Sequence, residues 1–224
     1  MNDITKFFDL SFTQHNKLFE GIEHPWEVIP KIKTYLEEIL QPEIKGELIG
    51  EPDIEGDVQI GEGTIVEHGA MIYGPAIIGK NCIIRNGAYF RGNVIVGDNC
   101  VIGNSTELKN CLIFNGAHLP HFNYIGDSVI GYMVHFGAGA IVSNAKIPKS
   151  EIRVRTHERE YKTGLDKFGA IIGDKTEIGS NCVINPGSVI GQNCLMYPLT
   201  SWRGVLQSNL IVKLRQQQEV VIKK

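Results

Sequence analysis

Arg91 and Lys109 stand eighteen residues apart, and each directly follows a large apolar residue, Phe90 and Leu108. In a chain that repeats every eighteen residues they stack on one another, with Tyr73 one repeat earlier. Two cations held that close repel unless an anion lies between them. A phosphate answers both, with Arg as a bidentate fork and Lys as a point charge. Two solvated surface charges are the plainer alternative. His121, beside Pro120, has the chemistry of a general base, since an imidazole with a reference pKa of about 6.5 accepts a proton near neutral pH. An ordinary surface histidine looks the same in sequence. The run Gly137-Ala138-Gly139-Ala140 is small enough to admit a thin ligand against the main chain. Its N–H groups can meet an oxygen as negative charge develops on it. Close packing at a turn is the competing explanation.

A repeat must position these residues. Counted in sixes from Ile54, the chain presents Ile60, Val66, Ile72, Ile78, Ile84, Phe90, Val96, Ile102, Leu108 and Phe114. After a slip of four residues the count resumes at Tyr124, Ile130, Phe136 and Val142, and later at Ile172, Ile178, Ile184, Ile190 and Met196. All twenty are hydrophobic in a chain that is 42% hydrophobic, a result chance gives roughly three times in a hundred million before the choice of phase is corrected for. The residue four places after each is mostly small, and four of the five cysteines (Cys82, Cys100, Cys182 and Cys194) fall there. Free cysteine behaves as a small buried hydrophobe, so these read as packing groups in tight corners.

The pattern divides the chain into three parts. Residues 1–48 are expected to form a helical cap on the first coil, residues 49–203 the repeats, and residues 204–224 an extended closing segment. In the cap, Pro25 suits a first helical turn, and Trp26, Ile29, Ile32, Leu36, Ile39 and Leu40 form one apolar stripe. Pro30 kinks that helix or moves its start. Two interruptions break the repeat. One, near 115–123, reads as a loop of four added residues carrying His121. The other, 146–168, alternates through Glu151-Ile152-Arg153-Val154-Arg155 and reads as an exposed β-arm, in a position where such scaffolds place binding groups.

The hexads resemble those of the left-handed parallel β-helix, in which three hexads make one triangular coil; the handedness comes from the resemblance. From Arg91 to Ser180 the chain resembles the acetyltransferase half of the bifunctional glucosamine-1-phosphate N-acetyltransferase/UDP-N-acetylglucosamine pyrophosphorylase family. The carrying segments are Thr106-Glu107-Leu108-Lys109-Asn110, His121-Phe122-Asn123-Tyr124-Ile125-Gly126-Asp127, Phe136-Gly137-Ala138-Gly139-Ala140 and Lys167-Phe168-Gly169-Ala170. The resemblance implies that His121 is the general base and that Arg91, Lys109, Tyr124, Asn144 and Lys167 contact the acceptor. It places Ala138 and Ser180 near the thioester of acetyl-CoA. His135 stands where the family commonly has a substrate-contacting asparagine, and Ala145 replaces its usual aromatic. The implied reaction is acetyl transfer from acetyl-CoA to an amino-sugar phosphate such as glucosamine 1-phosphate, toward UDP-N-acetylglucosamine.

Composition narrows the alternatives. With 22 Lys+Arg against 25 Asp+Glu, and a net charge of −3, a dedicated nucleic-acid binder is disfavoured. No apolar run approaches the roughly 18 residues of a membrane span, and Met1-Asn2-Asp3-Ile4 lacks the apolar core of a signal peptide. An odd cysteine count with no CxxC pair favours reduced thiols and a cytoplasmic location. Outward-leaning Ile65, Ile77, Ile83, Ile95 and Val101 suggest sheet faces that a homotrimer covers. A zinc enzyme of the γ-carbonic anhydrase kind would use His68, His118, His121 and His135, but their spacing does not converge, and no metal site is expected. A trimer that binds nucleotide sugars without catalysis is a further reading. Nucleotidyl transfer lacks support, because the 53 residues before Ile54 hold no glycine-rich phosphate loop.

Overall fold

Each hexad contributes a short strand and a turn, so the hydrophobic residue of every strand returns to the same side of the chain. In the computed structural model the result is a parallel β-helix whose strands stack in three columns. The structure describes residues 3–156, 158–215 and 217–223; Met1 and Asn2 of the expected cap, His157 of the arm, and Gln216 and Lys224 lie outside the described residues. The first column contains Val58–Ile60, Ala76–Ile78, Val94–Val96, Ala170–Ile172 and Ser188–Ile190 and is called the Ile77 face. The second runs through Ile65–Val66, Ile83–Ile84, Val101–Asn104, His118–His121 and His135–Phe136, the Ile83 face. The third includes Met71–Tyr73, Tyr89–Arg91, Ile141–Val142 and Val183–Ile184, together with the first halves of Glu107–Ile113 and Tyr124–Ile130, the Tyr124 face. The inward residues form a continuous core in which Ile60, Ile72, Ile78, Ile84, Phe90 and Val96 are at most 1% exposed. Burying each such side chain contributes on the order of 1.5–3 kcal/mol.

The coils extend beyond the expected limits. Glu43–Ile44 already pairs with Gln59 and Ile60, and Ile211–Val212 still pairs with Leu195 and Met196. The four-residue slip also has a different origin. Tyr89 pairs with Glu107, a step of 18, but Val94 pairs with Cys111 and Cys111 with Ser128, steps of 17. No loop is inserted near 115–123. Two consecutive coils are each one residue short, at Lys109-Asn110-Cys111 and at Gly126-Asp127-Ser128, and a shift of minus two is indistinguishable from plus four in a period of six. Asn110 and Asp127 take up the tight corners in the left-handed region, with φ of 45° and 48°. His121 therefore lies on a regular strand, His118–His121, stacked on Asn104. The shortening also brings Cys111 into the small-residue column between Val94 and Ser128, and all five cysteines are buried and unpaired.

The N-terminal segment does not cap the first coil. Its short 3-10 turns (Ile4–Lys6, Leu10–Phe12, Asn16–Phe19, Pro25–Glu27) and its helix Val28–Ile39 lie along the side of the β-helix. Pro30 falls in the first turn of that helix, where a missing N–H costs nothing, so the helix starts at Val28 rather than bending. The outward residues Ile77, Ile95, Leu112, Val129, Ile171 and Val189 are at most 5% exposed and share one core with Phe8, Trp26, Ile32 and Leu36. Ile77 and Ile95 are thus covered by their own chain and are not available to a trimer. Asp174 latches the segment down, accepting hydrogen bonds from Asp9 N–H at 2.7 Å and Tyr132 N–H at 2.8 Å.

The 146–168 insertion folds as an antiparallel hairpin, Arg153–Arg155 with Glu160–Lys162. It is not an exposed arm. Ile152 and Val154 are fully buried in the same outer core as Trp26 and Phe168. The alternation that suggested an exposed arm instead separates one buried face from one charged face.

Candidate active site

Two edges of the β-helix bound the Tyr124 face. On one edge, Asn104, His121, Ala138 and Ser180 follow one another on successive coils. Phe122 N–H donates to Asn104 O at 2.9 Å, Gly139 N–H to His121 O at 3.0 Å, and Asn181 N–H to Ala138 O at 2.9 Å. The expected base and both expected thioester contacts are therefore stacked on a single edge. Buried Asn123, to which the sequence reading gave no role, holds this edge in place. Its Nδ2 donates to Gly137 O at 2.9 Å and Ala140 O at 3.2 Å, and its Oδ1 accepts from His121 N–H at 3.3 Å.

The small residues here are a geometric necessity. A Cβ on Gly137 would lie 2.5 Å from Ser180 N, so any larger residue would push the two coils apart. A cleft of about 370 Å³ opens beside them, lined by His135, Gly137, Glu177, Ser180, Tyr197 and Pro198. The main-chain donors are fewer than the sequence suggested. Gly137 N–H is held by Ile178 O, Gly139 N–H by His121 O and Ala140 N–H by Gly137 O. Among the hydrogen bonds of the described residues, Ala138 N–H is the donor of that run left for a ligand.

At the opposite edge of the Tyr124 face lie Arg91, Lys109, Asn110, Asp127 and Asn144. Arg91 and Lys109 occupy the same position on successive coils, as Phe90 pairs with Leu108, and Tyr73 pairs with Arg91 one coil earlier. Their mutual repulsion does not wait for a ligand, however. Arg91 Nη1 donates to Glu107 Oε1 at 2.6 Å, and Lys109 Nζ lies 3.7 Å from Asp127 Oδ2. The Asp127 carboxylate is 7% exposed and also accepts from Asn110 Nδ2 at 2.8 Å and Asn144 Nδ2 at 2.5 Å. Glu107, Asn110 and Asp127 were not assigned roles from sequence. The signal for Asp127 is its place, directly after Gly126 and one coil on from Asn110 at the shortened corner.

Tyr124 joins the two edges. Burial, then the carboxylates of Glu107 and Asp127, raises its phenol above the usual range, so the hydroxyl stays protonated and able to donate. Lys167 is exposed and sits beside Phe168, whose N–H donates to Asn144 O at 2.9 Å. His135 is on the Ile83 face instead, paired with His118 and Glu177, and lines the cleft rather than the Asp127 cluster. The rings of His118 and His135 are 6.3 Å apart, and burial, then His135, lowers the His118 pKa below its ordinary value. His68 stands three coils before His121 on the same edge. Among the described residues, no group of three or more His, Cys, Asp or Glu side chains is gathered as a metal requires. No helix among the described residues is long and apolar enough to cross a membrane.

Residues 72–158 match the family model of the GMPPB C-terminal domain. Over 187 residues the chain is 40% identical to the bifunctional protein GlmU of Methanococcus maripaludis (strain C7), covering 81% of this chain and 45% of that protein. It is 32% identical over 198 residues to the bifunctional sugar-1-phosphate nucleotidylyltransferase/acetyltransferase of Sulfurisphaera tokodaii, covering 88% of this chain and 49% of that one. The chain thus spans about half the length of these bifunctional relatives. Over 201 residues it is 34% identical to the uncharacterized acetyltransferase YaiX of Escherichia coli K12, with 85% of each chain covered.

Proposed function

Since this chain belongs to the hexapeptide-repeat acetyltransferases, as a relative of the acetyltransferase half of the bifunctional GlmU proteins, we propose that it transfers an acetyl group from acetyl-CoA to the amine of an amino-sugar phosphate such as glucosamine 1-phosphate. The observation that carries this reading is the stacking of His121, Ala138 and Ser180 on one edge, with a strand's width to the Lys109–Asp127–Asn144 cluster. Asn123 to Gly126, three steps along the chain, crosses that width, about 10 Å at 3.3 Å per residue, a distance that long Arg, Lys and His side chains close around one monosaccharide phosphate.

In this scheme the acceptor nitrogen attacks the thioester carbonyl carbon while His121 takes the proton that the nitrogen gives up. A C–N bond forms, the C–S bond breaks, and the proton passes to the departing thiolate of coenzyme A. Ala138 N–H meets the carbonyl oxygen as charge develops on it. The narrow wall at Gly137 and Ser180, and the cleft beyond it, suit a thin thioester arm lying along the coils. Arg91, Lys109, Tyr124, Asn144 and Lys167 grip the acceptor, with Asp127 and Glu107 holding the two cations ready.

A thiol-release assay across a panel of amino sugars tests the reading. Acetyl-CoA-dependent release is expected, fastest with a sugar 1-phosphate. No release with any amino sugar would favour a protein that binds nucleotide sugars without catalysis. The working unit proposed is a homotrimer. With the Ile77 face covered in cis, the candidates for contact are Ile65, Ile83 and Val101 on the Ile83 face, and exposed Met71, Ile141 and Val183 on the Tyr124 face. Light scattering at micromolar concentration should give the mass of three chains; an active monomer would defeat the trimer.

A further inference from the structure

The edge that carries Asp127 continues past the acceptor cluster. Asn144, then Asn185–Gly187, then Trp202–Gly204 follow on successive levels. Phe168 N–H donates to Asn144 O at 2.9 Å, Gly187 N–H to Phe168 O at 3.1 Å and Asn185 N–H to Trp202 O at 2.8 Å. The hairpin lies against this stretch. Ile152 and Val154 anchor it in the outer core, which leaves the alternate residues Arg153 and Arg155 on its open side. The approach is close: a Cβ on Gly187, where φ is +79°, would lie 2.7 Å from Ile152 Cγ2 and 3.2 Å from Arg153 O.

Between hairpin and coil is a cavity of about 200 Å³. Four cationic side chains line it: Lys146 at the start of the insertion, Arg153 and Arg155 from the hairpin, and Arg203 from the coil opposite. Two carboxylates offset part of this charge. Glu160 is paired with both Arg153 and Arg155, and Glu151 lies 3.4 Å from Arg153 Nε. Lys146 Nζ donates to a neutral acceptor, Glu151 O, at 2.6 Å. Among the ion pairs of the described residues, none supplies a carboxylate to Arg203 or Lys146. Two positive charges lining the same cavity, on Lys146 and Arg203, therefore have no carboxylate partner among the described residues.

We propose that this cavity binds a phosphate-type dianion and forms a second anion site on the edge that carries Lys109. Two coil spacings of about 4.8 Å put it about 10 Å from the level of Asn144. A guanidinium on each wall grips the oxygens as a fork, and Lys146 adds a point charge. The dianion has two possible sources: a further phosphate of the acceptor, as in a pyrophosphate-linked amino sugar, or a free phosphate ligand. The first source rests on the acetyltransferase reading; the site itself does not.

Calorimetric titration of the full chain with inorganic phosphate tests the site without requiring turnover. The double variant Arg91→Ala/Lys109→Ala should retain a phosphate-binding component, and adding Arg203→Gln should weaken it about tenfold or more, the loss expected for a charged hydrogen bond. Arg203→Lys should keep most of it. Arg203 is exposed and outside the ion pairs of the hairpin, so its replacement leaves the fold in place, which an unchanged melting temperature verifies. Absence of binding in the double variant, or binding that both Arg203→Gln and Lys146→Gln leave unaltered, overturns the site. Kinetics then separates the sources. If Arg203→Gln lowers kcat/KM for a pyrophosphate-linked amino sugar more than for a sugar monophosphate, the cavity belongs to the acceptor; equal effects assign it to a free phosphate.

Discussion

The Ile77 face and the Tyr124 face are parallel sheets built on the same inward column, yet their outward columns differ. On the Ile77 face, Ile77, Ile95, Leu112, Val129, Ile171 and Val189 are all aliphatic, and the chain covers them with its own N-terminal segment. On the Tyr124 face the outward row is mixed, with Tyr89, Glu107 and Tyr124 on successive coils between Met71 on one side and Ile141 and Val183 on the other, and among the described residues all six stay at least partly exposed. A uniformly apolar face is satisfied by any apolar cover and so is closed in cis. A mixed face has to be matched by a ligand or a second copy, and it remains open. The irregularities of the helix follow the same division. The shortened corners at Asn110, Asp127 and Arg203-Gly204 and the inserted hairpin fall on the edge where the two faces meet, one more shortened corner at Lys45-Gly46 lies between the Ile77 and Ile83 faces, and the edge bearing His121 and Ser180 keeps its regular spacing.

If that division is correct, variants of the covered face should change stability and spare catalysis, and variants of the open face should do the reverse. The largest effect is expected from Phe8→Ala. Phe8 is fully buried and stacks on Phe114 at 5.0 Å, so its loss should cost about 3–5 kcal/mol in chemical denaturation while kcat of the folded enzyme stays within a few-fold. A changed KM with an unchanged denaturation midpoint would erase the distinction between the faces.

Next comes acid sensitivity of the covering segment. Burial lowers the His15 pKa to about 4, with Tyr35 Oη 3.2 Å from its Nδ1. Because the unfolded chain takes up this proton near pH 6.5 and the folded chain only near 4, stability is complete above about 6.5. It falls as pH drops through that window, by about 3 kcal/mol in all. His15→Gln should flatten that slope in melts between pH 4 and 6.5; a slope that persists would assign it to other groups.

On the open side, His121→Ala should lower turnover about 100-fold or more while acetyl-CoA binding, measured by calorimetry, and the melting temperature hold. A variant that keeps most of its turnover would move the base elsewhere. The smallest effect is one of selectivity. Lys109→Ala or Arg91→Ala should weaken phosphorylated acceptors by about 10- to 150-fold relative to unphosphorylated ones. Equal losses for the two acceptor types would mean that the ion pairs with Glu107 and Asp127 are only scaffolding.

Much of this was legible in the sequence. Arg91 and Lys109 could be stacked because residues eighteen apart in unbroken register occupy the same position on adjacent coils. The resemblance alone puts Ala138 and Ser180 near the thioester, and their common edge with His121 could not be read while the phase slip reads as an inserted loop. The partners of those cations could not be read, since Glu107 and Asp127 reach them by side-chain placement across coils, which has no period. The number of free N–H groups in Gly137-Ala138-Gly139-Ala140 was equally hidden, because three of the four are taken by a carbonyl supplied from another coil or from across the corner.

The sequence by itself determined the inward column except at Phe114 and Tyr124, which the two short coils turn outward in favour of Ile113 and Ile125, and with it the parallel β-helix, because one hydrophobic residue in six has only one way to keep returning to a common core. It also determined that the N-terminal helix had an apolar stripe to bury. Tertiary structure decided where that stripe went, since any apolar face satisfies a non-directional force equally well. It decided too that the slip in phase was two deletions rather than an insertion, because a period of six cannot tell them apart until the register of neighbouring coils is seen. That choice gives Asp127 its tight corner and brings its carboxylate to Lys109 and Asn144.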